Sequence, residues 1–263
     1  MKAIHRVLDP HNADRLPAGL CALAVMTKAP EAGRVKTRLT PPLSAEEAAA
    51  LNVCFLRDTT AAISRTADAT KKAQGIAVYT PVGAEAAYAG ILPADFQLVP
   101  QRGEAFGERL SAATEDLLAL GFDSLCLIDS DSPTLPERAF AEAIEFLARP
   151  EDSVVLGPSD DGGYYLIGLK KLHRRLFEGI DWSTERVLEQ TIAAAREIEL
   201  RVHLLPTWYD VDERNTLSRL CAECFGSNGN HETALSAPAT RQFLAGIIER
   251  EGRDRIWPSD SKQ

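Results

Sequence analysis

The sequence predicts an α/β fold, a three-layer α/β/α sandwich around a mostly parallel sheet. Three observations predict it. Leu20 to Met26 (LCALAVM) is a short, continuous apolar run, as expected of a strand buried on both faces. Six more strand-like runs follow, and amphipathic helical patterns lie between several of them. At 263 residues, with 45% hydrophobic and 25% charged side chains, the chain can bury a substantial core as one domain.

In order, the first apolar run leads into a turn-rich loop, Lys28 to Pro42. Ser44-Ala-Glu-Glu47 then reads as a capping box opening a helix whose Leu51, Phe55, Thr59 and Ala62 share one face. Strand patterns recur at Gly75–Thr80, Phe96–Pro100, Ser124–Asp129, Ser153–Gly157, Tyr164–Leu169 and Arg201–Pro206. Helical spacing appears at Leu110, Ala113, Leu117 and Leu118, and again at Val187, Leu188, Thr191 and Ile192. Another helix, with Phe140, Ile144 and Leu147, is expected to open at Thr134-Leu-Pro-Glu137. Residues 1–19 read as a polar N-terminal extension and 20–225 as the domain. Residues 226–263 read as a loop, Gly226–Ala239, and a last helix packed on the same core.

A net charge of −9 gives no overall attraction to nucleic acid or an anionic membrane, so a phosphate site must be a local basic patch. Five cysteines without a secretory leader point to reduced thiols and a cytoplasmic setting. The longest apolar runs fall short of the roughly 20 residues of a membrane helix. Cys221-Ala-Glu-Cys224, with His231 nearby, lacks a second pair for zinc. Leu217, Leu220, Cys221, Cys224 and Phe225 form one apolar stripe, which predicts buried thiols.

Ligands of open α/β sheets bind beyond the carboxyl ends of the strands, which singles out four segments. Lys28-Ala-Pro-Glu-Ala-Gly-Arg-Val-Lys-Thr-Arg38 carries four basic residues and Gly33; it can wrap a diphosphate or be a solvated basic loop. It contains no Walker A pattern, and no Gly-x-Gly-x-x-Gly follows the first strand. Asp129-Ser-Asp131 at a strand end suits Mg²⁺ or Mn²⁺ bridging to phosphate, against a plain Asp-rich turn capped by Thr134. Asp160 and Asp161 can supply a catalytic base or bind sugar hydroxyls, with Gly162 and Gly163 leaving room for a bulky ligand; a hairpin turn is the alternative. Asp210 and Asp212 either complete a metal shell with Asp131 or cap the following helix.

In combination these segments resemble the bacterial DUF2064 family of the glycosyltransferase A-like, nucleotide-diphospho-sugar transferase superfamily. The resemblance spans about Leu20 to Phe225. It rests on Lys28-x-Pro-x-x-Gly-x-Val-Lys-Thr-Arg-Leu39, Gln101-x-Gly with Gly107-Glu-Arg109, Asp129-Ser-Asp-Ser-Pro133, Gly157-x-x-x-Asp-Gly-Gly-Tyr-Tyr-Leu166, Trp182-Ser-Thr184 and Asp210-Val-Asp212. It implies a nucleotide-binding loop of Lys28, Gly33, Lys36 and Arg38, with Gln101 and Arg109 on the same side. Asp131, with Asp129 and Asp212, would hold Mg²⁺ or Mn²⁺. Asp160, Asp161, Trp182 and Ser183 would face sugar or acceptor. Gly103-Glu-Ala-Phe-Gly107 stands where relatives usually carry Asp-Leu before the second glycine, so Glu104 and Phe106 give that wall its own shape.

The implied activity is metal-dependent glycosyl transfer from a nucleotide sugar to a small-molecule acceptor. Some relatives are associated with arsenosugar biosynthesis, which offers an acceptor class. Nucleotidyl transfer from a nucleoside triphosphate to a phosphorylated acceptor, releasing pyrophosphate, is the alternative. Nucleotide binding without turnover is a third.

Overall fold

The computed structural model describes residues 5–11, 18–226 and 237–258. Seven strands form one sheet: β1 (Cys21–Lys28), β2 (Ala73–Thr80), β3 (Gln97–Pro100), β4 (Ser124–Ile128), β5 (Ser153–Pro158), β6 (Tyr164–Leu169) and β7 (Arg201–Leu204). Their order is β3-β2-β1-β4-β6-β5-β7. All adjacent pairs are parallel except those made by β6, which runs antiparallel to both β4 and β5. The chain moves outward from β1 through β2 to β3 and returns to the other side at β4. The carboxyl ends of β1 and β4 therefore flank the topological switch point, where open α/β sheets bind ligands.

The alternating side chains of the central strands divide the core in two. Leu23 and Val25 of β1, with Cys126 and Ile128 of β4, face α1 (Ala45–Thr70) and α3 (Glu137–Leu147). Ala22 and Ala24, with Leu125 and Leu127, face α2 (Phe106–Ala119) and α4 (Val187–Glu197). This is the three-layer α/β/α arrangement expected from the sequence. Ser44 caps α1 through the expected box: its Oγ accepts the Glu47 N–H at 3.2 Å, while the Glu47 carboxylate accepts the Ser44 N–H at 2.8 Å.

A third cluster joins Leu51 and Phe55 of α1 to α5 (Arg214–Phe225) and α6 (Pro238–Glu251). It explains why α1 is apolar on more than one side: Leu56 and Ile63 serve the sheet, while Leu51 and Phe55 serve α5 and α6. Buried Asp58 secures this packing by accepting the backbone N–H groups of Ala239 and Thr240 at the start of α6, at 3.0 and 2.8 Å. Cys221 and Cys224 lie inside the cluster, and all five cysteines are buried and unbridged. Most of the Gly226–Ala239 loop and His231 lie outside the described residues.

One local expectation is corrected. The α3 N-cap is Pro136 rather than Thr134, whose hydroxyl instead accepts the indole N–H of Trp208 at 3.2 Å. The polar start of the chain also contributes to the sheet edge: Leu98 donates to Arg6 O, and Leu8 donates back to Leu98 O. No helix among the described residues is long and apolar enough to cross a membrane.

Candidate functional site

Two clefts open at the carboxyl ends of β1 and β4 and share a wall. The larger, about 490 Å³, has a floor of Ile128, Asp129 and Tyr165, and a rim that includes Phe106, Asp161, Trp182 and Ser183. The smaller, about 310 Å³, is lined by Lys28, Arg34, Lys36 and Arg38, with Asn52 of α1 behind them. Arg38, Ser130, Asp131 and Asp212 border both.

The basic loop continues β1. Ala29 N donates to Thr80 O at 2.8 Å, and buried Leu39 fixes the far end. Lys36 lies between these anchors in the left-handed backbone region, at φ 49 and ψ 36, which side chains with a Cβ disfavour. Its side chain is only 3% exposed. The ammonium lies 2.7 Å from Asp131 Oδ1 and 2.7 Å from Asp212 Oδ1, and donates to Val211 O at 2.9 Å. The two carboxylates and their burial act in opposite senses on this amine: desolvation lowers its pKa, while Asp131 and then Asp212 raise it, with a net rise.

The carboxylates are themselves held in place. Ser132 donates to both Tyr209 O and Asp129 Oδ2 at 3.0 Å, and Val211 N donates to Asp131 O at 2.9 Å. These bonds stitch the turn after β4 to the segment before α5. Thr216 accepts the Asp212 N–H at 3.1 Å and so ties that segment to the first turn of α5.

The two aspartates of the Asp-Ser-Asp triplet diverge. Asp131 faces Lys36, whereas Asp129 turns to Ser132. Burial, followed by the Asp131 charge, pushes the Asp129 carboxyl well above the usual range and favours its neutral form. The triplet thus presents Asp131, rather than Asp129, to the Lys36 ammonium. Asp210 borders the larger cleft and accepts from Ser159 Oγ at 3.3 Å. Burial and the charges of Asp161, Asp212 and Asp131 raise its pKa to about 6.

Among the described residues, no three His, Cys, Asp or Glu side chains form a metal-holding group. Mg²⁺, however, commonly takes only one or two protein carboxylates and fills its remaining positions with water and substrate phosphate. Asp131 and Asp212 already converge on a cation, the Lys36 ammonium, so these two oxygen donors fit a divalent ion.

The hairpin between β5 and β6 separates the other predicted pair. Asp161 lines the larger cleft, and its Oδ1 accepts Gly163 N–H at 2.9 Å. Asp160 turns toward α5 and pairs with Arg219 at 2.6 Å. Gly163, Trp182 and Ser183 line the larger cleft. Gly162 acts through backbone approach: a Cβ there would lie 2.1 Å from Glu185 O, and its φ is +90. Gly33 stands in open space at φ +73.

Gln101 and Arg109 border neither cleft. Gln101 Nε2 donates to Thr27 O and Val78 O at 3.1 and 2.8 Å, joining the ends of β1 and β2. Arg109 donates to Glu104 O at 2.9 Å.

Other lining residues were given no site role in the sequence, Asn52 and Ser130 among them. Asn52 is 5% exposed and its Oδ1 has no partner, so a buried amide faces the basic cleft. Its place within an apolar helical pattern gave no sign of this. Ser130 lies inside the recognised triplet. Phe106, 47% exposed, meets Trp182 edge-on at 5.1 Å and forms an aromatic rim.

The family model described as "Uncharacterized protein conserved in bacteria (DUF2064)" matches residues 62–184, in agreement with the resemblance read from the motifs. A crystal structure from Desulfovibrio desulfuricans G20, provisionally assigned as a nucleotide-diphospho-sugar transferase, superposes with a TM-score of 0.69. It is 29% identical, and the match covers 86% of this chain and 99% of that one. CMP:2-keto-3-deoxy-manno-octonic acid synthetase complexed with CTP gives 0.48 at 11% identity, covering 77% and 97%. The mannosyltransferase of Pyrobaculum calidifontis, in complex with GDP-Man and Mn²⁺, gives 0.43 at 14% identity, covering 90% and 78%. No curated protein matches by sequence. The D. desulfuricans likeness supports the expected fold and the transferase class.

Proposed function

We propose that this chain, a DUF2064 sequence by its matched segment, transfers a glycosyl group from a nucleotide-diphospho-sugar to a small-molecule acceptor with the help of Mg²⁺ or Mn²⁺. One observation carries the reading: a cation-lined cleft and a larger, aromatic-rimmed cleft meet at Asp131 and Asp212. A diphosphate has its charge complement on one side of that wall, and a sugar has hydroxyl acceptors and a stacking surface on the other.

In this reading Lys28, Arg34 and Arg38 hold the diphosphate, while Asp161 faces the sugar and acceptor. The bond between the anomeric carbon and the β-phosphate oxygen breaks, and the acceptor hydroxyl oxygen bonds to that carbon. The hydroxyl proton passes to the Asp161 carboxylate, and the nucleoside diphosphate leaves. Held by Asp131 and Asp212, the divalent ion would neutralise charge on the departing diphosphate. A modified-sugar acceptor of arsenosugar type belongs to the same reading, supported by the family resemblance.

Calorimetric titration with a panel of nucleoside diphosphates, with and without Mn²⁺, tests the site. Binding should require the metal and be lost in Asp212→Asn. Incubation with donor and acceptor should then release nucleoside diphosphate. Pyrophosphate released from a triphosphate would replace glycosyl with nucleotidyl transfer, and binding without turnover would leave a nucleotide-binding protein. Failure of every nucleotide to bind would sink the reading altogether.

A further inference from the structure

We infer that Lys36 is a tethered counter-cation that occupies the divalent site until metal displaces it, making metal binding and release of the basic loop one event. The inference rests on the metal reading above and deepens it.

The ammonium fills the site completely. Its three N–H donors face three acceptors, Asp131 Oδ1, Asp212 Oδ1 and Val211 O, while the Phe55 ring approaches at 5.2 Å. A magnesium ion binds carboxylate oxygens at about 2.0–2.1 Å, inside the volume the ammonium takes, so the two cations exclude each other. The backbone is poised for the exchange, because Lys36 holds a left-handed conformation that its departure would release. The smaller cleft beside it already carries Lys28, Arg34 and Arg38, so a freed ammonium enters an anion-binding surface. Metal would thus convert Lys36 from a partner of carboxylates into a partner of phosphate, and diphosphate would in turn favour the metal-bound state.

Competition lowers apparent metal affinity by the fraction of molecules in which the site is open. Lys36→Met keeps the apolar stem and removes the charge. Counting free Mn²⁺ by electron paramagnetic resonance should show the variant binding about tenfold more tightly than the wild type or better, on this population argument. Amide hydrogen exchange on the unmodified protein gives a second reading that does not depend on the variant folding: Mn²⁺ should speed exchange across residues 29–39. Equal or weaker Mn²⁺ binding by Lys36→Met, or exchange there that is unchanged or slowed, overturns the inference while leaving the metal reading intact. Absence of Mn²⁺ binding to both proteins overturns the two together, as does binding that survives Asp131→Asn combined with Asp212→Asn.

Discussion

The Lys36 ammonium and the Asp212 carboxylate meet at 2.7 Å although 176 positions separate them in sequence. This contact, with its counterpart to Asp131, ties the loop after β1 to the turn after β4 and the segment before α5. The same three chain segments form the wall between the clefts. In the proposed reading, stability and ligand binding therefore draw on the same residues, and substitutions there should move both.

Without metal, Lys36→Met leaves two facing carboxylates with no counter-charge. Breaking a buried pair costs roughly 3–5 kcal/mol, but Asp131 and Asp212 are 31% and 37% exposed and water screens part of it, so we expect about 2 kcal/mol. Urea unfolding should show a lower midpoint at unchanged slope. Saturating Mn²⁺ should restore more stability to the variant than it adds to the wild type, since metal supplies the missing charge.

Gly162 and Gly33 both have positive φ, yet their substitution should differ sharply in cost. An alanine at 33 meets nothing within 4 Å and pays only the backbone penalty, about 1 kcal/mol. An alanine at 162 adds a Cβ 2.1 Å from Glu185 O, on a residue whose own carbonyl accepts Leu188 N–H at 2.9 Å. The β5–β6 hairpin must then part from the segment bearing Trp182 and Ser183, so we expect a loss of about 3 kcal/mol or more. Thermal unfolding of the two variants side by side checks the contrast; equal losses would remove the packing role given to Gly162.

Strands were the most legible part of the fold because their apolar runs are contiguous: LCALAVM foretells β1, and Tyr164–Leu169 coincides with β6. The Cys221–Cys224 stripe was legible for the same reason, its period matching a helix that is buried on one side. Site residues were legible as chemical types but not as partners. Lys36 read as a phosphate ligand because its loop is basic, while its carboxylate partners come from two distant turns that no local spacing reveals. Gln101 sits in a recognisable motif, yet its amide joins two strand ends. Asn52 is hidden by its surroundings, one amide in an apolar helix.

Phe106 offers a way to separate binding from folding. It is the first residue of α2, 47% exposed, and its main aromatic contact is the edge-on approach to Trp182. Phe106→Ala should leave the unfolding midpoint nearly unchanged. It should weaken a ligand in the larger cleft by about 1 kcal/mol, near fivefold in Kd, through loss of an aromatic surface. Phe106→Leu should recover part of that affinity. An unaltered Kd for every nucleotide sugar would show that the bound sugar or acceptor does not reach this rim.

The Glu47 carboxylate has a second partner besides the Ser44 N–H: Arg255 donates to its Oε1 at 3.0 Å, tying the end of the described chain to the start of α1. The hydrogen bond from Arg255 holds the Glu47 pKa below the usual carboxylate range, against an opposing effect of burial. A carboxylate with a depressed folded pKa binds fewer protons folded than unfolded. Its stabilisation is thus complete above the unfolded value, near 4.3, and is lost as pH falls through the lower folded value. Arg255→Ala should remove most of this contribution at pH 7. The difference in unfolding free energy between wild type and variant should then shrink steadily as the solution is acidified below about pH 4, the region where Glu47 takes up its proton. Urea titrations at several pH values measure that difference directly, and a gap that stays constant down to the acid limit would mean that Arg255 stabilises the chain by packing rather than through the Glu47 charge.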